Sequence, residues 1–211
     1  MKIGVLASQG AFAEHIAVLG RLEVEAIPIR LPQELTGLDG LIIPGGESTS
    51  ISRLMLSYNL MGEIKNLAGN GLPIFGTCAG MVLLATGSSD HNIELLGVID
   101  IVINRNAFGR QKDSFETNLL IPALGDKPFP GVFIRAPAIE QAGSKVEILA
   151  RLADGTSVAA RQGRLLVSAF HPELTSDLRF HQYFLDIVAQ HGEIDLDQAD
   201  SGGVLAKGNY R

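Results

Sequence analysis

Short apolar runs alternate with stretches of helical period through the first half of the chain. Ile3-Gly4-Val5-Leu6 is a brief apolar run that predicts a strand. After Gln9-Gly10, Phe12, Ile16 and Leu19 recur at i, i+4 and i+7, one face of a helix from about Phe12 to Leu22. Glu25–Ile29 predicts the next strand, and Pro28 assigns it to a sheet edge because proline cannot donate to a ladder. Leu41-Ile42-Ile43 reads as a buried strand that stops at Pro44-Gly45-Gly46. A helical pattern from about Ser50 to Gly69 is broken near Asn59. Leu72–Thr77 predicts a strand, and Gly80–Ala85 a helix. Strand alternating with helix implies a parallel sheet covered on both faces.

The second half is richer in strands. Val98–Asn104, Phe115–Ile121, Gly131–Ile134, Val146–Ala150, Ser157–Arg161 and Arg164–Phe170 fit that pattern, with hairpin turns at Asp154-Gly155 and Gln162-Gly163. A last helix is predicted from about Leu178 to His191. Residues 192–211 are polar and read as a flexible tail after a single domain over residues 1–191. The expected class is α/β, with a mixed, mostly parallel sheet.

Composition narrows the function. Of 211 residues, 46% are hydrophobic and 19% charged, which excludes an intrinsically disordered chain. The net charge of −6 offers no electrostatic footprint for nucleic acid or an anionic membrane. No apolar run reaches the ~18 residues of a membrane span. The apolar N-terminal run is too brief for a signal peptide. One cysteine cannot form an internal disulfide. A soluble, cytoplasmic protein is expected.

The sharpest local signal is Gly76-Thr77-Cys78-Ala79-Gly80, between a predicted strand and a predicted helix. It has the form of a nucleophile elbow with Cys as the nucleophile. The turn sets the thiol at a helix N-terminus, where the dipole favours negative charge. A lone cysteine in an arbitrary context is more often a small buried hydrophobe; the glycine frame argues against that here. Among five histidines, His171 stands at the end of an apolar run and begins His171-Pro172-Glu173. Residues i and i+2 of extended chain point the same way, so Glu173 can orient the imidazole of His171 toward the thiol. His15, His181 and His191 fall on predicted helices and read as solvated or packing residues, and His91 lies in a polar loop. Pro44-Gly45-Gly46-Glu47-Ser48 also follows a strand and precedes a helix. Its Gly46 amide and the Ala79 amide are candidate donors to an oxyanion. The plainer alternative is a turn with Ser48 or Ser50 capping the helix. No metal-binding spacing and no phosphate-binding glycine loop is present, so no cofactor is expected.

Taken together, these residues resemble the class I, triad-type glutamine amidotransferases. Gln9-Gly10-Ala11, Pro44–Ser50, Arg105–Gln111, Val132–Pro137 and Phe170–Leu174 are similar to segments of the glutaminase subunits of pyridoxal 5'-phosphate synthase. The resemblance spans about residues 2–190. It implies a flavodoxin-like, three-layer fold and hydrolysis of L-glutamine to glutamate and ammonia. It also implies a partner, a (β/α)8-barrel synthase subunit that takes up the ammonia to make pyridoxal 5'-phosphate. Carried over by motif, Cys78 is the nucleophile and His171 and Glu173 complete the triad. Gly46, Glu47, Ser48, Arg105, Ile134 and Arg135 line the glutamine site. Free glutamine carries a carboxylate, which suits Arg105 or Arg135, and an ammonium, which suits Glu47. The competing readings are the glutaminase subunit of another amidotransferase complex, or a cysteine peptidase or γ-glutamyl hydrolase on the same fold.

Overall fold

A computed structural model describes residues 1–89, 92–108 and 114–201, with side chains to His191. Its core is a ten-stranded sheet. The parallel half is formed by β1 (Lys2–Leu6), β2 (Glu25–Ile29), β3 (Gly40–Ile43), β4 (Ile74–Thr77) and β12 (Leu165–Ser168), in the order β2-β1-β3-β4-β12. All residues of β3 and β4 are buried, as expected of parallel strands covered on both faces. Strand β2, with Pro28, is the edge. The sheet continues through β11 (Ser157–Gln162), β9 (Ala138–Ala142), β6 (Ile99–Asn104) and β5 (Ala85–Ser88), with β10 (Glu147–Arg151) also paired to β11. In this half every pair except β5–β6 is antiparallel. A separate hairpin joins β7 (Ser114–Leu119) and β8 (Phe129–Ile134).

Helices cover both faces of the parallel half. Helix α1 (Phe12–Arg21) and helix α5 (Arg179–Ser201) meet Phe75 of β4 through His15, Phe180 and Phe184, with ring centroids 5.5 to 6.2 Å apart. Gly76, next along β4, faces the opposite side and lies against α4 (Ala79–Leu84). Helix α2 (Ser48–Ser57) packs beside α4, and α3 (Leu60–Gly69) follows after Asn59, whose φ of 58° breaks the helical pattern. Aromatic contacts tie the hairpin to the segment after β12 and to α5, Phe133 on Phe170 at 5.7 Å and Phe129 on Phe180 at 5.8 Å.

Three features depart from the pattern-based expectation. Strand β5 begins where α4 ends, over Ala85-Thr86-Gly87-Ser88, a segment too short and polar to carry a strand period. Strand β9 contains Glu140 and Gln141, both exposed, so its sequence does not alternate as a half-buried strand should. Helix α5 continues past His191 to Ser201, and the remainder of the expected tail lies outside the described residues. Among the described residues no helix is long and apolar enough to cross a membrane.

Candidate active site

The site forms at the carboxyl ends of β1, β3, β4 and β12, where doubly wound sheets leave a crevice. Chain reversal after β4 is extremely tight. Cys78 adopts φ 48° and ψ −103°, a strained conformation for a residue with a side chain. Its N–H is anchored to the Ser168 carbonyl of β12 at 2.7 Å. The two framing glycines are required by close approach. A Cβ on Gly76 would stand 2.6 Å from the Gly80 backbone, and one on Gly80 would overlap the Ile43 carbonyl oxygen. The elbow pattern therefore records backbone contacts as much as conformational freedom. Cys78 is the N-terminal flanking residue of α4, and its Sγ lies 3.9 Å from the Ile134 carbonyl oxygen.

Strand β12 delivers the second group. His171 follows Phe170, and its N–H donates to the Val132 carbonyl at 2.8 Å, which fixes the chain against β8. The imidazole Nδ1 is 2.7 Å from Glu173 Oε1. The Glu173 side chain has no exposed surface. Burial of the ring works against charge on His171. Hydrogen bonds to Cys78 and Glu173, and the charges of both, outweigh it and hold the pKa at about 10. These partners favour the charged form of the ring, which suits it to take up a proton from the sulfur on one side while a carboxylate holds it on the other.

The loop after β3 closes over these groups. A Cβ on Gly45 would overlap His171 Cε1 and stand 3.2 Å from Cys78 Cβ. The Gly45 peptide groups are held at both ends: its N–H donates to Thr77 Oγ1 at 3.0 Å, and its carbonyl accepts from Ala11 N–H at 3.2 Å. Gly10 has φ 87°, and a Cβ there would overlap that same carbonyl. Gln9-Gly10-Ala11 is thus a structural brace for the glycine loop.

A cavity of about 430 Å³ opens in front of Cys78. Gly46, Glu47, Ser48, Ala79, Arg105, Ile134, Arg135 and His171 line it, together with Val82, Asn106 and Pro137. Every residue singled out from sequence for catalysis or glutamine binding is therefore in the cavity wall except Glu173, which stands behind His171. Glu47 has a second task. Its carboxylate caps α2, accepting from Thr49 N–H at 3.0 Å, Ser50 N–H at 2.7 Å and the Ser50 hydroxyl at 2.6 Å. The Ser50 hydroxyl contributes most to lowering its pKa to about 2, against partial burial, and the two amides add to it. So the cap is Glu47 rather than Ser48 or Ser50; Ser48 is the first helical residue and is buried. Arg105 Nη2 approaches Glu47 Oε1 at 3.6 Å. Arg135 occupies φ 43°, a costly conformation that turns the chain just as β8 ends. Among the described residues no cluster of three or more His, Cys, Asp or Glu is arranged to hold a metal ion.

Two residues expected to be solvated or merely packed lie immediately behind Cys78, His171 and Glu173. His15 and His181 are fully buried, with His15 Nδ1 2.9 Å from His181 Nε2. One signal for His15 was available: it lies three residues from Phe12 and four from Leu19, on the apolar stripe of α1. His91 and the segment 109–111 lie outside the described residues.

Known proteins resemble this chain over most of its length. A pyridoxal 5'-phosphate synthase subunit PdxT from Herpetosiphon aurantiacus is 55% identical over 190 residues, 89% of this chain and all of that protein. The PdxT subunit from Moorella thermoacetica is also 55% identical, again over 89% of this chain and all of that protein. A crystal structure of a glutamine amidotransferase superposes with a TM-score of 0.84 at 47% identity, covering 89% of this chain and 98% of that one. The SNO glutamine amidotransferase family matches residues 5–190, a span that includes the elbow, the glycine loop and the His171–Glu173 pair, and the chain belongs to that family.

Proposed function

We propose that this chain is the glutaminase subunit of a pyridoxal 5'-phosphate synthase. It hydrolyses L-glutamine and hands the ammonia to a synthase subunit, a (β/α)8 barrel, in the cytoplasm. The glutaminase domain is residues 1–191. What supports this most is one alignment: Cys78, His171 and Glu173 in series, facing a cavity with a carboxylate and two guanidinium groups on its wall. That charge set suits the head group of a free amino acid. Glu47 receives the α-ammonium, and Arg105 and Arg135 the α-carboxylate. Gly46, Ser48 and Ile134 complete the wall around the substrate chain.

In this reaction Cys78 Sγ, its proton taken up by His171, attacks the side-chain amide carbon. The oxygen takes negative charge and is met by the Gly46 and Ala79 amides. His171 donates its proton to the departing ammonia, leaving a γ-glutamyl thioester on Cys78. Water, deprotonated by His171, then releases glutamate and regenerates the thiol. Glu173 keeps Nδ1 of His171 as the donor to itself, so that the other ring nitrogen faces sulfur.

The brace between Ala11 N–H and the Gly45 carbonyl supports a role for the partner. The Gly45–Gly46 peptide holds its carbonyl toward Ala11, so the same contact sets the direction of its N–H, the Gly46 amide. Docking of the synthase subunit beside Gln9-Gly10 selects the orientation in which the Gly46 amide faces the oxyanion. The isolated chain is accordingly a poorer glutaminase than the complex. The test supplies glutamine labelled at its amide nitrogen to the chain plus the synthase subunit, with pentose and triose phosphates. Label appears in the ring of pyridoxal 5'-phosphate if the reading is right. Label released as ammonia but absent from the ring points to another amidotransferase, and no release at all to a peptidase or γ-glutamyl hydrolase.

A further inference from the structure

Glu173 presents an incomplete arrangement. A buried carboxylate requires donors on both oxygens. Oε1 has His171 Nδ1 at 2.7 Å. Oε2 is buried and has no hydrogen-bond partner of ordinary geometry. Nε2 of His15 lies 3.4 Å from it. That nitrogen is also 3.2 Å from Thr77 Oγ1, the hydroxyl that accepts the Gly45 N–H. On the other side of the ring, His15 Nδ1 meets His181 Nε2 at 2.9 Å.

We propose that His15 is a positioning residue for the triad: a neutral imidazole whose Nε2–H is directed at Glu173 Oε2, with its tautomer set by the Nε2–H of His181. The proposal rests on the triad reading above and extends it backward into the core. The surroundings of the two rings favour this tautomer. The opposite form would aim the His15 Nε2 lone pair at a carboxylate. It would also require His181 Nδ1 to carry a hydrogen, and that atom is buried without a partner. An orphan acceptor there is the milder fault, because a buried N–H without an acceptor loses its full hydration.

Both imidazoles are neutral. Burial pushes His15 well below the ordinary histidine range, and the neighbouring His181 and His171 push it the same way. Burial alone brings His181 to about 3. Neutrality matters for the chemistry. A charged His15 would compete with His171 for the Glu173 carboxylate. A neutral donor orients that carboxylate without drawing off its charge. The 3.4 Å separation is long, and catalytic hydrogen bonds in substrate-free enzymes commonly shorten in the reacting complex. Through Thr77 the same ring also abuts the anchor of the glycine loop, so the triad carboxylate and the oxyanion loop share one buried support.

The test compares the parent chain with His15→Leu and with His15→Gln, all assayed for glutamine hydrolysis with the synthase subunit. Glutamine as a side chain restores an N–H near the Nε2 position, and leucine does not. His15→Leu is expected to lower kcat by about 10- to 100-fold with KM for glutamine changed by less than about twofold. His15→Gln recovers most of that loss. Alkylation of Cys78 by iodoacetamide, read on the same proteins without glutamine, follows the same order. An inactive parent would sink the glutaminase reading, and the alkylation series would still decide this one. A His15→Leu variant with parental kcat and alkylation rate overturns the proposal. So does a His15→Gln variant as slow as His15→Leu at equal thermal stability. Should His15→Leu fail to fold, a two-bond proton–nitrogen NMR spectrum of the parent decides. Nε2–H on both His15 and His181 supports the proposal, and Nδ1–H on His15 overturns it.

Discussion

At the open side of the cavity, Glu47 and Arg105 keep 49% and 21% of their side-chain surface in contact with solvent; behind Cys78, Glu173 and His15 keep none. The open side handles charge with water nearby. There, Glu47 is a firm carboxylate because a hydroxyl and two amides serve it, and Arg105 stands 3.6 Å away, within reach of both solvent and ligand. The closed side has one strongly buried carboxylate, with histidine nitrogens 2.7 and 3.4 Å from its two oxygens. Coulomb interactions are several-fold stronger there because water is excluded. The lesson is a division of labour. Exposed charges can select a zwitterionic amino acid and still release it, while the chemistry needs a dry, pre-oriented chain of hydrogen bonds. Mutations on the two sides should therefore fail in different ways: closed-side changes in kcat, open-side changes in KM.

The sharpest attempt to break this division is Glu173→Gln. An amide there can present its N–H to His171 Nδ1 and install the wrong tautomer, so kcat should fall about 10³-fold or more, with KM little changed. A kcat within tenfold of the parent, on the order of 1.4 kcal/mol, would remove Glu173 from the triad. Gly45→Ala comes next. The added Cβ meets His171 Cε1 and Cys78, and the loop can relieve that overlap only by retreating from the oxyanion site. A loss of about 10²- to 10³-fold in kcat is expected, the value of one oxyanion donor. A variant of full activity would mean that the loop gives way at no cost.

On the open side, Arg135→Ala should raise KM for glutamine about tenfold, with kcat held within about twofold. A charge-assisted contact is worth roughly 1.5–3 kcal/mol, and exposure to solvent pulls it toward the lower figure. A parental KM would exclude Arg135 as a substrate ligand. The smallest effect concerns Glu47 as a helix cap. Its pKa is lowered from 4.5 to about 2, so its contribution to stability is present above pH 4.5 and is lost as pH falls toward 2. Half-exposed as it is, the contribution stays below about 1 kcal/mol. The difference in Tm between parent and Glu47→Gln should shrink over that interval of pH, and a constant difference would contradict the capping account.

Much of the open side and of the elbow was legible in the sequence, for a physical reason. Glycines at 45, 76 and 80 are forced by close approach, and such contacts lie between neighbouring strand ends that sequence pattern can locate. Glu173 was legible because it is two residues from His171. The closed side was not, since His15 and His181 are 166 residues apart and meet only after α1 and α5 pack on the same face of β4. The buried face of α1 centres on His15, Val18 and Leu19, a slight rotation from the stripe through Phe12, Ile16 and Leu19. A histidine at its centre looks like an intrusion until its partners are known. Strands β5 and β9 were not legible because their extended form comes from backbone pairing with β6, which local composition does not encode. The cap on α2 was displaced by one or more residues because Glu47, with its longer side chain, reaches the amides that a serine was expected to serve.

The central claim is that Cys78 attacks glutamine. The direct measurement is ammonia release from L-glutamine by the parent and by Cys78→Ala, side by side with excess synthase subunit, with circular dichroism confirming that both are folded. The account predicts turnover by the parent and a loss of about 10³-fold or more in the variant, which should still bind the synthase subunit. A folded Cys78→Ala chain that retains substantial turnover would contradict it.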